Sequence, residues 1–209
     1  ASGSLVQVDT TSVNFARQTT RQLRFGMNFA VPIAAARTIS GAAGARARRL
    51  PATKLQVNVS HTHLLNSTTV IRDGLPVVDL LSGGVIGIAG AQQRDSTTGS
   101  IALTRGGTGL RLAANWRGRS FLQTGSADVP DRLVFGSLLK MDLRMFADLG
   151  QLFPDRAALK DTRLSLVAEN VANERQRVTN ALGAVPQAYQ GAYRDPIGRT
   201  VMVELRKVF

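Results

Sequence analysis

The chain has no cysteine among its 209 residues, which excludes a disulfide framework, a thiolate metal site and a cysteine nucleophile. It also lacks any run approaching the roughly 18 uncharged apolar residues that a membrane-crossing helix needs, so a helical membrane protein is excluded. A β-barrel is untouched by that absence, because each barrel strand carries only a short alternating pattern. Acidic residues are scarce: 14 Asp and Glu stand against 26 Lys and Arg, a formal charge of +12. Such a balance points to an anionic partner: nucleic acid, phosphate-rich lipid or an acidic ligand. The excess is mostly arginine, spread along the chain between apolar residues apart from a small cluster at Arg46, Arg48 and Arg49. A nucleic-acid binder instead gathers its charge into one stripe or tail, so none is expected as partner. The chain opens Ala1-Ser2-Gly3-Ser4 without a targeting segment, and the expectation is that one was removed or that the chain is the tail of something longer.

Catalytic signatures are missing as well. No Gly-x-Ser-x-Gly elbow supplies a context for nucleophilic serine. Gly106-Gly107-Thr108-Gly109 lacks the helix that a phosphate loop requires and reads as a turn. His61 and His63 lie two apart on one strand face, but no third ligand is near them in sequence. They are assigned to the outer end of a strand, and no enzyme activity, catalytic residue, cofactor or metal is expected.

What the sequence does contain is a period of two, the mark of strands with unlike faces. Leu23, Phe25, Met27, Phe29 and Val31 alternate with Arg24, Gly26, Asn28 and Ala30; Leu55, Val57 and Val59 alternate with Gln56, Asn58 and Ser60. The pattern returns at Leu110 to Arg117, at Leu139 to Met145, and at Val201, Val203 and Leu205 before the final Phe209. Weaker candidates span 5–15, 97–104 and 162–170, which makes about eight strands, each near the roughly 9–11 residues of a tilted transmembrane strand. The sole hairpin-tight link is 105–109, where glycines tolerate positive φ. An apolar face of this kind meets a second sheet in a soluble sandwich or lipid in a barrel, and period alone does not separate the two. Connection length favours the barrel: the links of 65–96 and 171–199 are long and fall on one side, as extracellular loops do. The stretch 32–52, rich in Ala, Gly and Arg, is expected to be a flexible, low-complexity insert with no fold of its own. Trp116, Phe121, Tyr189 and Tyr193 read either as interfacial girdle residues and ligand contacts or as ordinary packing.

The last third of the chain carries the most specific signal. Leu164-Ser165-Leu166-Val167-Ala168-Glu169-Asn170-Val171-Ala172-Asn173-Glu174-Arg175 is followed by Gly183, Pro186, Tyr189 and Tyr193, then by Asp195-Pro196-Ile197-Gly198-Arg199-Thr200 and a strand that stops at an aromatic residue. This succession resembles the C-terminal end of TonB-dependent outer-membrane receptors, with Asn170, Gly183, Pro186, Tyr189, Pro196, Gly198 and Arg199 in the matching positions. Upstream, Asp73-Gly74-Leu75-Pro76 with Asp79 and Gly83 resembles an extracellular loop of a proteobacterial subgroup of these receptors, and Val13-Asn14-Phe15-Ala16-Arg17 a strand end of that subgroup.

The resemblance implies an all-β antiparallel transmembrane barrel segment occupying 1–209, the C-terminal part of a barrel of about twenty-two strands. About fourteen strands and a plug domain would lie outside it. It implies a Gram-negative outer membrane as location, with lipid as solvent, and uptake of a scarce small molecule such as a siderophore-type metal chelate, energised by TonB through the plug. It also implies that Phe209, with Leu205, Val203 and Val201 on its face, is the terminal signal read by the barrel-assembly machinery, and that Lys207 snorkels to headgroups. Two other readings stay open on the residues: an autonomous eight-stranded barrel with a tight lumen, and a soluble basic β-protein that binds polyanions.

Overall fold

The computed structural model describes residues 14–39, 48–86, 91–125, 130–193 and 198–208. In chain order its strands are β1 (Arg17–Ala34), β2 (Arg37–Ile39), β3 (Arg48–Leu50), β4 (Thr53–Val70), β5 (Val78–Asp79), β6 (Asp95–Arg105), β7 (Thr108–Arg117), β8 (Ser120–Gly125), β9 (Pro130–Phe135), β10 (Leu138–Asp148), β11 (Thr162–Glu169), β12 (Val178–Thr179) and β13 (Thr200–Lys207). The long ones form an antiparallel meander in the order β1-β4-β6-β7-β10-β11-β13, with β5 added beside β4. Among the described residues no strand pairs with the far edge of β1 or of β13, so the sheet is open there.

Register converts the period of two into two continuous faces, because residues opposite each other in an antiparallel pair project to the same side. Met27 faces Val59, Val59 faces Gly99, and Gly99 faces Ala114. Ala114 faces Met141; further along, Leu143 faces Ala168 and Ala168 faces Val201. Most apolar residues of the long strands thus fall in one band, although Phe146, Val167 and Met202 project to the other side. The other side gathers Asn28, Asn58, Ser100, Ala113 and Asp142 along the same rungs.

Nothing among the described residues covers the apolar band. Phe25 is 57% exposed, Met27 58% and Val203 66%, whereas the buried apolar residues are Leu81, Ala168 and Val178. A compact soluble protein of 22.3 kDa exposes roughly 9,400 Å²; this chain exposes 15578 Å². With these side chains exposed, a sandwich core is absent among the described residues.

The two ends of the sheet differ. At one end the connections are 71–94, 118–137 and 170–199; at the other they are 35–52, 106–107 and 149–161. The shortest is the Gly106-Gly107 turn, whose φ values of 45° and 80° are those of a type I′ hairpin, the form whose twist matches the flanking strands. Beside it Gly109 leaves room for the Phe146 ring, which a Cβ at that position would overlap, and the Arg163 guanidinium lies 4.9 Å from the centre of that ring. The β1–β4 hairpin is the tallest, with bulges between Arg21 and Gln22 and between Pro32 and Ala34. Pro32 is accommodated because β1 is an edge strand among the described residues, where a missing N–H breaks no second ladder.

One expectation is corrected here. The described parts of the stretch 32–52 are not without a fold: 32–34 complete β1, and β2 pairs with β3 from Arg37↔Leu50 to Ile39↔Arg48, while 40–47 lie outside the described residues. The hairpin ladder simply resumes beyond the Pro32 bulge, since backbone pairing needs no apolar pattern. Between β7 and β10 lie β8 and β9, which pair from Ser120↔Phe135 to Gly125↔Pro130. The weak strand candidate at 5–15 lies outside the described residues except for Asn14 and Phe15, which are not in a strand.

Candidate functional site

The concave side of the sheet is the polar one. A shallow bowl of about 600 Å³ is lined there by Asn28, Asn58, Ser60, Ser100, Arg111 and Asp142 among others. Within it the Arg111 guanidinium donates to Ser100 Oγ at 3.4 Å. Arg111 stands opposite Arg144, and Arg163 opposite Arg206, against the acids Asp142, Glu169 and Glu204 on the same face. Arg119 lies off the strands, in the link between β7 and β8. Like charges held side by side make this face attractive to anions.

Above the bowl, the three long connections knit into one layer. β12, from the link 170–199, pairs with β9 from the link 118–137 through Val178↔Phe135 and Thr179↔Val134. Gly136 N donates to Arg177 O at 2.8 Å, and Gln176 Nε2 donates to Gly136 O. The 71–94 link joins through Gln123, whose backbone N donates to Gly83 O at 3.0 Å and whose Nε2 donates to Ser82 O at 3.1 Å. Gly83, at φ 90°, has Gln123 and Phe121 3.0 Å from where a Cβ would stand. Tyr189 meets Phe135 edge to face at 5.7 Å, and Arg132 lies 5.5 Å above the Phe121 ring.

Within that layer Asp79 organises the turn that carries Gly83. Its carboxylate accepts from Leu81 N at 2.9 Å, Ser82 N at 3.2 Å and Ser82 Oγ at 2.6 Å. The Ser82 hydroxyl is the largest cause holding its pKa below the ordinary 3.8, helped by the two amides and the Arg94 charge and opposed by desolvation. Asp73 and Gly74 form a separate tip turn, with Leu75 N donating to Arg72 O at 3.1 Å and Gly74 at φ 86°. Leu75 is half-exposed and Pro76 exposed there.

The C-terminal motif assembles in part. Asn170 is buried, in the left-handed region at φ 49°, and exchanges two 3.0 Å hydrogen bonds with the Glu174 backbone. Its own N–H donates to Asp142 Oδ1 at 2.8 Å. Asn173, at φ 56°, accepts from Arg199 N at 3.1 Å, and a Cβ on Gly198 would overlap its amide. Asn170, Gly198 and Arg199 therefore meet where β11 ends and β13 begins. Gly183 turns at φ 80° with open space around it, while Pro186 leads the 3-10 turn of Tyr189. Val201, Val203 and Leu205 face Ala168, Leu166 and Leu164 on the apolar side of β13. Pro196 and Phe209 lie outside the described residues. Tyr193 is exposed, its hydroxyl accepting from Gln187 Nε2 at 3.0 Å.

No protein-family model, curated protein or solved structure matches the chain.

On the opposite, apolar face, Asp95 of β6 sits across from His63 of β4 and supplies the third ligand type that was not expected beside the histidines. His61, His63 and Asp95 each offer an atom within 4.8 Å of the others. Asp95 is 32 residues from His63, and only the strand register brings the two together.

Proposed function

We propose that the chain is a wall segment of an outer-membrane β-barrel in a TonB-dependent importer, its apolar face against lipid and its polar face toward the lumen. The observation that carries this is the uncovered apolar band running through all seven long strands with an arginine-bearing face behind it. In water that band would be a contiguous exposed hydrophobic surface of the kind soluble monomers rarely carry. Within a bilayer the same band is solvated and every internal strand has its backbone groups paired. The edges of β1 and β13, unpaired among the described residues, fit a wall that continues into further strands better than a self-closed small barrel, whose narrow interior would crowd the arginines.

The transported ligand in this reading is a scarce anionic small molecule such as a metal chelate, drawn by the basic excess on the concave face. The knitted loop layer forms part of the rim that contacts it. TonB acts through a plug domain outside this chain, and the barrel-assembly machinery reads Val201, Val203 and Leu205 of β13 together with Phe209, which follows them in sequence. Fractionation of cells expressing the gene from its own locus tests this reading. The product should pellet with the outer membrane, and disruption should abolish TonB-dependent accumulation of a metal chelate. Recovery in the soluble fraction, or unchanged uptake of every chelate tried, contradicts it.

A further inference from the structure

Where the β4–β6 ladder ends, three side chains with metal-binding atoms converge on the face away from the polar bowl. His61 Nδ1 is 2.8 Å from Thr97 Oγ1, which leaves Nε2 as its free nitrogen, and that atom is 3.5 Å from Asp95 Oδ1. His63 Nδ1 is 2.5 Å from the same carboxylate oxygen. We propose that His61, His63 and Asp95 form a binding site for one zinc-class divalent ion, with a fourth position open to solvent. Two alternate residues of one strand and the residue across from one of them suffice to place three ligands on one hemisphere of an ion.

The geometry suits such an ion. Metal–ligand bonds of about 2.0–2.1 Å at tetrahedral angles put ligand atoms roughly 3.3 Å apart. The His61–Asp95 separation already matches, and the His63–Asp95 contact opens by less than about 1 Å as the ion replaces the proton between them. The side chains are about one-third exposed, at 29%, 33% and 34%, so they have room to adjust and an aqueous route for the ion. Imidazole with carboxylate selects Zn²⁺, Co²⁺ or Ni²⁺ over the oxygen-seeking Ca²⁺ and Mg²⁺.

The surroundings hold the ligands in place. Thr97 fixes one His61 nitrogen, in the way outer-shell partners orient ligating histidines. On the same face, Phe25 of β1 stands opposite His61 and stacks on it, with ring centres 5.4 Å apart and planes 17° from parallel. Asp95 is anchored through its own carbonyl, which accepts from Gly118 N at 2.8 Å. Because the cluster lies on the apolar side, the ion is off any path along the polar face, and it fastens β4 to β6 rather than passing through. This inference does not depend on the transport reading.

The test is titration of the full 209-residue chain in detergent micelles with Co²⁺, followed by Zn²⁺ displacement. One equivalent should bind with the strong visible d–d absorption of a tetrahedral site and be displaced by Zn²⁺. His61→Gln, His63→Gln and Asp95→Asn should each weaken binding at least about tenfold, and Thr97→Val by about tenfold, the low end for an outer-shell partner. Far-UV circular dichroism identifies variants that keep the sheet; Asp95→Asn, isosteric and part-exposed, is the reference should a histidine variant unfold. Absence of the d–d bands in the folded chain, or equal binding by folded Asp95→Asn, overturns the proposal.

Discussion

Asn170 and Asp79 show how single polar side chains set the loop layer. Asn170 occupies the left-handed region, which asparagine tolerates better than other non-glycine residues, and its own buried amide pairs with two backbone groups of Glu174. Asn170→Ala leaves those groups unpaired and puts a Cβ-bearing aliphatic residue at positive φ, so it should cost about 2–4 kcal/mol. Asn170→Gly removes the φ cost and should cost less; denaturant unfolding in micelles should rank wild type above Gly above Ala. For Asp79 the sign follows from its lowered pKa. The carboxylate's contribution is complete above the unfolded-chain value of 3.8 and is lost as pH falls through the lower folded value. Amide exchange at Leu81 and Ser82, corrected for its intrinsic pH dependence, should therefore accelerate below about pH 3.8 in wild type. In Asp79→Ala the exchange should be fast at all pH values. Both residues stood out in the sequence through their motifs, but their partners did not. Asp142 reaches Asn170 across 28 residues and Asp95 reaches His63 across 32, and nothing local in a sequence encodes such a pairing.

The elements divide by whether both their faces have a fixed solvent. β1, β4, β7, β10 and β13 have one apolar and one polar side, so a period of two was visible in Phe25-x-Met27-x-Phe29 or Leu139-x-Met141-x-Leu143. β8 and β9 pack among other loops, and Phe121-Leu122 or Leu133-Val134-Phe135 put apolar residues on both sides, which erased the alternation. β12 is two residues long and is fixed by its partner β9 rather than by its own pattern. The Gly106-Gly107 turn was legible because only glycine adopts its two positive φ values cheaply. Gly109, two residues on, was not distinguishable from a turn residue, yet its role is to seat Phe146. Gly109→Val should push that ring out of its place and break its contact with Arg163, costing about 1–3 kcal/mol as overpacking does. The check is a paired unfolding measurement in which Gly109→Val combined with Phe146→Ala recovers part of the loss.

At the scale of the whole molecule, the fold is an antiparallel sheet with one apolar and one polar face, and few apolar side chains are buried among the described residues. What covers the apolar band therefore decides between the proposed membrane role and any other. Alternation and net charge were enough to anticipate an antiparallel all-β chain with unlike faces. The ladder order was legible in outline, while the loop layer and the His61–His63–Asp95 cluster waited for register. The absence of cysteine makes the central claim directly measurable. Single cysteines placed in turn from Leu138 to Asp148 along β10, in chain reconstituted into liposomes, should alternate. At Leu139, Met141, Leu143 and Met145 an attached fluorophore should be quenched by brominated lipid and shielded from aqueous quencher; at Lys140, Asp142 and Arg144 the reverse should hold. Uniform access to the aqueous quencher at all positions, or lipid contact without alternation, would contradict the account.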